Sequence, residues 1–252
     1  MLKNILYTAL VIALVFPFCK KTGSTPQPPA GFPSSAETKP QYNNTSFGVY
    51  KGIVVGSAGT IIVRINNGDT LIKGYLNIDN LKDTLSTTRK LTAGQPIVNL
   101  NFNGRFSSLT MSADADGNNA QITNLVITGH PGARALIVHE NSTQQLLCYG
   151  GTFTGDLNGT ICFIKTGTAP RSEPVYFLAK ASTDTFFLKG YGIPEMDSAR
   201  THTHYIYDLG NPVRTFSGYP TFTLANVTGS WVSFFPPTNS NLRGSINCTR
   251  TY

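Results

Sequence analysis

Charge is scarce in this 252-residue chain: Asp, Glu, Lys and Arg make up 13% of it, about half of the roughly 25% usual for soluble domains. Acids are scarcest, with Glu37, Glu140, Glu173 and Glu195 the only glutamates. That leaves little material for the paired carboxylates of glycoside hydrolysis. A G-x-S-x-G elbow, an H-E-x-x-H pair, a P-loop and a C-x-x-C motif are all missing. Their absence removes the usual sequence marks of nucleophilic hydrolases, zinc proteases, NTPases and thiol redox sites. The expectation is a chain that is not an enzyme. The net charge of +7 is thinly spread, with no basic cluster interleaved with aromatics. Nucleic acid is therefore not an expected partner. Helical periodicity is almost lacking too.

What the chain has instead is 31 Thr, 20 Asn and 18 Ser beside a 40% hydrophobic fraction. That hydrophobic fraction is enough for a core and too high for disorder over most of the length. Thr60–Ile65, Gln121–Thr128, Ala135–His139 and Val175–Ala179 are β-branched or aromatic runs of strand length. Asn67-Gly68, Asn103-Gly104, Asp116-Gly117 and Asn158-Gly159 supply the positive φ angles of tight hairpins. About thirteen strands are expected, in an all-β antiparallel sandwich or barrel.

The N-terminus is organised differently. Lys3 precedes an apolar stretch, Ile5 to Phe18, whose only plainly polar member is Thr8. It is shorter than the roughly 20 residues a spanning helix needs. A basic start and a short apolar core read as a secretory signal over 1–18. Val15-Phe16-Pro17-Phe18-Cys19 ends that run on a cysteine, followed by Lys20-Lys21. This resembles the lipobox of bacterial envelope lipoproteins. The resemblance implies export, acylation of Cys19 and retention at the outer membrane, on its periplasmic face or at the cell surface. Residues 19–46 then read as the lipidated cysteine and a solvated tether. Pro26, Pro28, Pro29, Pro33 and Pro40 favour extended backbone there. The antiparallel domain is expected from Phe47 to Tyr252.

An internal repeat suggests duplicated halves, 47–145 and 146–252, within one continuous domain, since no linker falls near 145; chance recurrence of common hairpin words is the alternative. Gly48-Val-Tyr50-Lys-Gly52 before Gly59-Thr-Ile61 matches Gly151-Thr-Phe153-Thr-Gly155 before Gly159-Thr-Ile161. Asp69–Tyr75 similarly matches Asp184–Tyr191, including a Lys-Gly-Tyr ending. Pairing Phe153 with Ile161 and Gly151 with Phe163 would put Tyr149, Phe153, Ile161 and Phe163 on one core face. In that register Cys148 and Cys162 stand about four positions apart along the ladder, roughly 13 Å, too far for a disulfide. A disulfide involving Cys248 is the better expectation, and three buried thiols the alternative.

Three constellations are candidate sites. His202 and His204 would share a strand face and suit Zn or Cu. A third ligand would have to come from His130, His139, Asp197 or Asp208. Asp114-Ala-Asp116-Gly117-Asn118-Asn119 resembles the start of a Ca²⁺ loop without its terminal Glu, and a plain hairpin turn also accounts for it. Aromatics crowd the last quarter, with Tyr191, Tyr205, Tyr207, Tyr219, Trp231, Phe234 and Phe235. Such rings can stack on sugars or anchor a protein, and core packing explains others. Tyr191, Trp231, Phe234 and Phe235 are the candidate ligand contacts. The functional expectation is binding of a glycan or an envelope or host protein. An envelope structural or assembly role is the alternative, and a metal-dependent enzyme or carrier comes after it.

Overall fold

A computed structural model describes residues 31–169, 174–182, 187–194, 204–208, 215–235 and 240–252. Among these residues the protein is all-β, with sixteen antiparallel strands instead of about thirteen. The first eight are β1 (Gly48–Val55), β2 (Gly59–Ile65), β3 (Ile72–Ile78), β4 (Leu81–Ser86), β5 (Ile97–Asn103), β6 (Ser107–Ala113), β7 (Gln121–Ile127) and β8 (Arg134–His139). They form one sheet in the order β7-β6-β5-β4-β3-β2-β1-β8. The second eight are β9 (Leu146–Gly155), β10 (Gly159–Thr166), β11 (Val175–Ala181), β12 (Phe187–Pro194), β13 (His204–Asp208), β14 (Thr215–Phe222), β15 (Asn226–Phe235) and β16 (Ser240–Arg250). These close into a barrel in which β16 returns to pair with β9. The two sheets fall on either side of residue 145. Each is an eight-stranded meander whose first strand pairs with its second and its last.

Alternation sorts each strand between an inside and an outside. Tyr50, Val54, Ile61, Val63, Leu76 and Phe102 help fill the first sheet's interior. Tyr149, Phe153, Ile161, Phe163, Phe177 and Trp231 help fill the second. The two bodies meet through their outer faces. Ile53, Val55 and Leu136 of the first pack with Cys148, Cys162, Ile164 and Leu178 of the second. Strand β1 is therefore buried along its whole length, on both faces.

The hairpin β9–β10 has a different register from the one the sequence suggested. Gly159 lies opposite Phe153, Ile161 opposite Gly151 and Phe163 opposite Tyr149. The shift is by two, so the expected core face survives. The same pattern recurs in β1–β2, where Gly52 faces Ile61 and Tyr50 faces Val63. Structural equivalence thus joins Tyr50 with Tyr149 and Gly52 with Gly151, four residues from the pairing the repeated words suggested. Each glycine lets a neighbour approach. A Cβ on Gly52 would lie 2.6 Å from Ile61 Cγ2, and one on Gly151 would lie 2.1 Å from the Asn247 carbonyl oxygen.

Cys148, Cys162 and Cys248 are free and buried, so the expected disulfide with Cys248 does not form. Cys148 and Cys162 lie two positions apart along the ladder and face the neighbouring sheet. Cys248 packs with the interior of the closed barrel.

The end of the segment expected as a solvated tether is built into the fold. Residues 33–46 run as a strap across the first sheet, including a 3-10 turn at Pro40–Tyr42. Glu37 N–H and Thr38 N–H both donate to Glu140 Oε2, at 2.7 and 3.3 Å. Lys51 of β1 donates to Glu140 Oε1 at 2.5 Å. The C-terminus joins the same cluster, with the Tyr252 hydroxyl donating to Glu37 Oε2 at 2.8 Å and Arg250 Nη2 to the Pro33 carbonyl at 3.1 Å. Its prolines and the shortage of aliphatic side chains made this stretch read as solvated. Glu37 and Thr38 serve here as partners for buried groups.

The first sheet has two weak seams. β4 and β5 share a single pair, Ser86 with Asn103. Asp83 bridges that gap by accepting from Arg105 N–H, Phe106 N–H and the Ser107 hydroxyl, at 3.1, 2.8 and 2.7 Å. Burial pushes its pKa upward, but these bonds outweigh burial and hold it below the ordinary aspartate value. The other seam, between β7 and β8, has no ladder and forms a cleft. No helix among the described residues is long and apolar enough to cross a membrane.

Candidate functional site: a cleft at the open β7–β8 seam

Strands β7 and β8 are neighbours in space near the turn that joins them. His130 N–H donates to the Ile127 carbonyl and Ala133 N–H to the His130 carbonyl there, at 3.0 and 3.2 Å. At the opposite end, where β7 begins and β8 finishes, a cleft of about 480 Å³ opens. One wall is the loop Gly117–Ala120 and another is Leu136–His139. Tyr176 and Lys189 of the closed barrel complete it.

The Asp114–Asn119 turn builds the first wall. Asp114 N–H donates to the Asn118 carbonyl, and Gly117 N–H to the Asp114 carbonyl, both at 2.9 Å. Gly117 has φ +86°, and a Cβ there would lie 2.6 Å from His139 Nδ1. Glycine thus satisfies the left-handed turn and lets it press against the imidazole.

His139 Nε2 lies 2.8 Å from the Phe47 carbonyl oxygen. A carbonyl only accepts, so Nε2 carries the proton. The ring sits 4.6 Å from that of Tyr50, centroid to centroid. Burial lowers the His139 pKa, and the Phe47 carbonyl and Asp116 oppose that shift without reversing it. The neutral ring therefore has its bare Nδ1 toward Gly117.

The two carboxylates expected to bind Ca²⁺ are occupied by their own turn. Asp116 Oδ1 accepts from Asn118 N–H at 2.9 Å, and its Oδ2 from Asn118 Nδ2 at 2.7 Å. These bonds, the backbone one foremost, hold the Asp116 pKa below its usual value. Asp114 Oδ2 accepts from Asn119 Nδ2 at 2.7 Å. The side-chain carbonyls of Asn118 and Asn119 remain as acceptors on the cleft wall. Across from them Lys189 makes no hydrogen bond or ion pair among the described residues. The cleft thus offers amide acceptors on one side, and an ammonium and a phenol on the other.

Tyr176 on β11 lies opposite Tyr191 on β12, at the edge of the cleft, and Tyr207 of β13 is the register partner of Tyr191. Tyr191 is half-buried on the outer face of the closed barrel.

The other candidates separate. Trp231 points inward and is only 3% exposed. Its Nε1 donates to the Thr154 carbonyl at 3.1 Å, and its ring packs against Phe153 and Phe216. It packs in the core, because its strand position has the inward parity. Phe234 and Phe235 end β15 opposite Asn241 and Ser240, and their side chains lie outside the described residues. Cys19 and His202 also lie outside them. His204 opens β13 opposite Pro194. Among the described residues no three His, Cys, Asp or Glu side chains gather to hold a metal. His130 instead sits 3.7 Å from Asp79.

Nothing in the sequence pointed to Asn119, Tyr176 and Lys189 as cleft residues. Each lies in a segment with another signal, the Asp114–Asn119 turn, the Val175–Ala179 strand run and the Lys189-Gly190-Tyr191 repeat. No family model matches the chain, and no curated protein or solved structure is significantly similar to it.

Proposed function

We propose that this protein is an envelope lipoprotein that binds a glycan, without chemistry, at the β7–β8 cleft. Acylation at Cys19 and retention at the outer membrane rest on the signal-like residues 1–18 and the cysteine that ends them. Stable anchoring of this kind needs more than one acyl chain.

One observation carries the binding reading. Both sheets have the same meander, yet β15 and β16 of the second pair along ten positions, while their counterparts β7 and β8 have no ladder. An open ladder forgoes backbone hydrogen bonds, and here the opening is lined with acceptors and donors of both kinds. Hydroxylated ligands need both. The tyrosines at the cleft's border add flat faces on which sugar rings stack.

The test is binding of the purified protein to an array of envelope and host polysaccharides, repeated with Lys189→Ala, Asn119→Ala and Tyr191→Ala. Loss of a bound glycan in these variants, with unchanged thermal unfolding, is the expected result. Binding that survives all three would remove the cleft from consideration.

A second reading, an envelope structural or assembly component, draws on the strap, which fixes the tether's exit beside the C-terminus. Crosslinking in intact cells that captures an envelope protein through this face would favour it. Protease shaving of intact and lysed cells would assign the side of the membrane.

A further inference from the structure

A second surface, on the outer face of β2 and β3, has its own chemistry and belongs to no part of the seam cleft. Ile62 and Arg64 of β2 lie opposite Tyr75 and Lys73 of β3. Together with Leu71, Asp69 and the C-terminal Tyr252 they line a depression of about 350 Å³. Large apolar side chains seldom stand exposed in clusters without a use. Leu71 is 49% exposed and Tyr75 40%, so two exposed apolar side chains converge on this one depression.

The charges make a second, independent observation. Arg64 and Lys73 are direct cross-strand partners, an arrangement that costs stability on a sheet face. Arg64 is compensated through Nη2, which donates to Glu37 Oε1 and lies 3.5 Å from the Tyr252 hydroxyl. Its Nε and Nη1 make no hydrogen bond among the described residues. Lys73 has no carboxylate within ion-pair distance there. Glu37 is shared between Arg64 and Lys51. Asp69 spends one oxygen on Leu71 N–H at 3.1 Å. The face therefore presents two unfilled donor groups of like charge between aromatic walls.

We infer that this depression is a binding site for an acidic saccharide, its carboxylate received by Lys73 and the open edge of Arg64. The sugar ring would lie against Tyr75 and Tyr252. A carboxylate there relieves the like-charge pair, and a pyranose ring covers the exposed apolar faces.

Titration of the full-length protein with tetragalacturonate, in low salt and again at physiological salt, tests this. Maltotetraose serves as the neutral control and tetraglutamate as the anion without a sugar ring. Saturable tetragalacturonate binding is expected. It should weaken about tenfold in Lys73→Gln, the cost of one charge-assisted bond, and by a similar factor in Tyr75→Ala. Lys82→Gln, at an exposed β4 lysine outside both surfaces, should leave it unchanged. Equal binding of tetraglutamate would overturn the saccharide assignment, and equal binding of maltotetraose the acidic one. Absence of binding, or binding indifferent to both Lys73→Gln and Tyr75→Ala, would overturn the site. Loss through Lys189→Ala alone would place the ligand in the seam cleft instead.

Discussion

Lys51 Nζ and Glu140 Oε1 lie 2.5 Å apart with neither side chain exposed to solvent. Glu140 also accepts from the Glu37, Thr38 and Leu146 backbone N–H groups. One buried carboxylate thus holds the strap, β1 and the start of β9. Removing one partner of such a pair leaves an uncompensated charge, at a cost of about 3–5 kcal/mol. Lys51→Ala should lower unfolding stability by that order in denaturant titration. Lys51→Met combined with Glu140→Gln should recover part of it, because the glutamine carbonyl still serves backbone donors. A loss under about 1 kcal/mol in the single variant would mean the pair does not hold the strap.

Glu37 gives the strap a pH dependence. Its burial raises the pKa, but Lys51, the Tyr252 hydroxyl and Arg64 together bring it below the ordinary glutamate value. A lowered folded-state pKa contributes stability that is fully present above the unfolded value near 4.3 and lost as pH falls through the folded one. The melting temperatures of the protein and of Glu37→Gln should differ most near neutral pH and converge below about pH 4. A gap that stays constant down to pH 3 would contradict the ion cluster.

Gly151→Ala tests the close approach that defines both hairpins. Its new Cβ would sit 2.1 Å from a backbone oxygen of β16, which has little freedom to move. Overpacking commonly costs about 1–3 kcal/mol, and this contact should reach or exceed the upper figure. Wild-type stability in Gly151→Ala would show that the β9–β16 register is different.

The single tryptophan reports on the closed barrel. Trp231 should emit at the short wavelengths of an apolar site and shift to the red on unfolding. Trp231→Ala should cost about 3–5 kcal/mol by emptying the core, with no specific effect on ligand binding. Emission typical of a hydrated indole would place the ring outside.

The thiols of Cys148, Cys162 and Cys248 should be silent to iodoacetamide in the native protein and react once it is unfolded. Burial pushes Cys148 and Cys162 up to about 12, so almost no thiolate exists at neutral pH. Mass spectrometry without reductant should find three free thiols at these positions. A bridged pair would contradict the observed geometry.

Alternating runs and Asn-Gly turns were enough to identify an antiparallel all-β domain, because a pleated strand buries every second residue wherever it lies. The same local rule found the shared face of Tyr149, Phe153, Ile161 and Phe163 while missing the register by two, since a shift of two preserves facing. It could not separate Trp231 inside from Tyr191 outside, because parity depends on which face of the strand turns inward.

The sequence by itself determined the strand-rich class, the left-handed glycines at Gly68 and Gly117 but not at Gly104 or Gly159, the repeated hairpin words and the signal-like N-terminus, all properties of residues near one another in the chain. Tertiary structure decided what depends on distant pairings. It closed β9–β16 into a barrel and left β7 and β8 unpaired. It folded Glu37 back onto Glu140, Arg64 and Tyr252, and it set Lys189 across a cleft from Asn118 and Asn119. Those contacts span tens to hundreds of residues. Their energies come from burying charge and apolar surface together, which no local pattern of residues encodes.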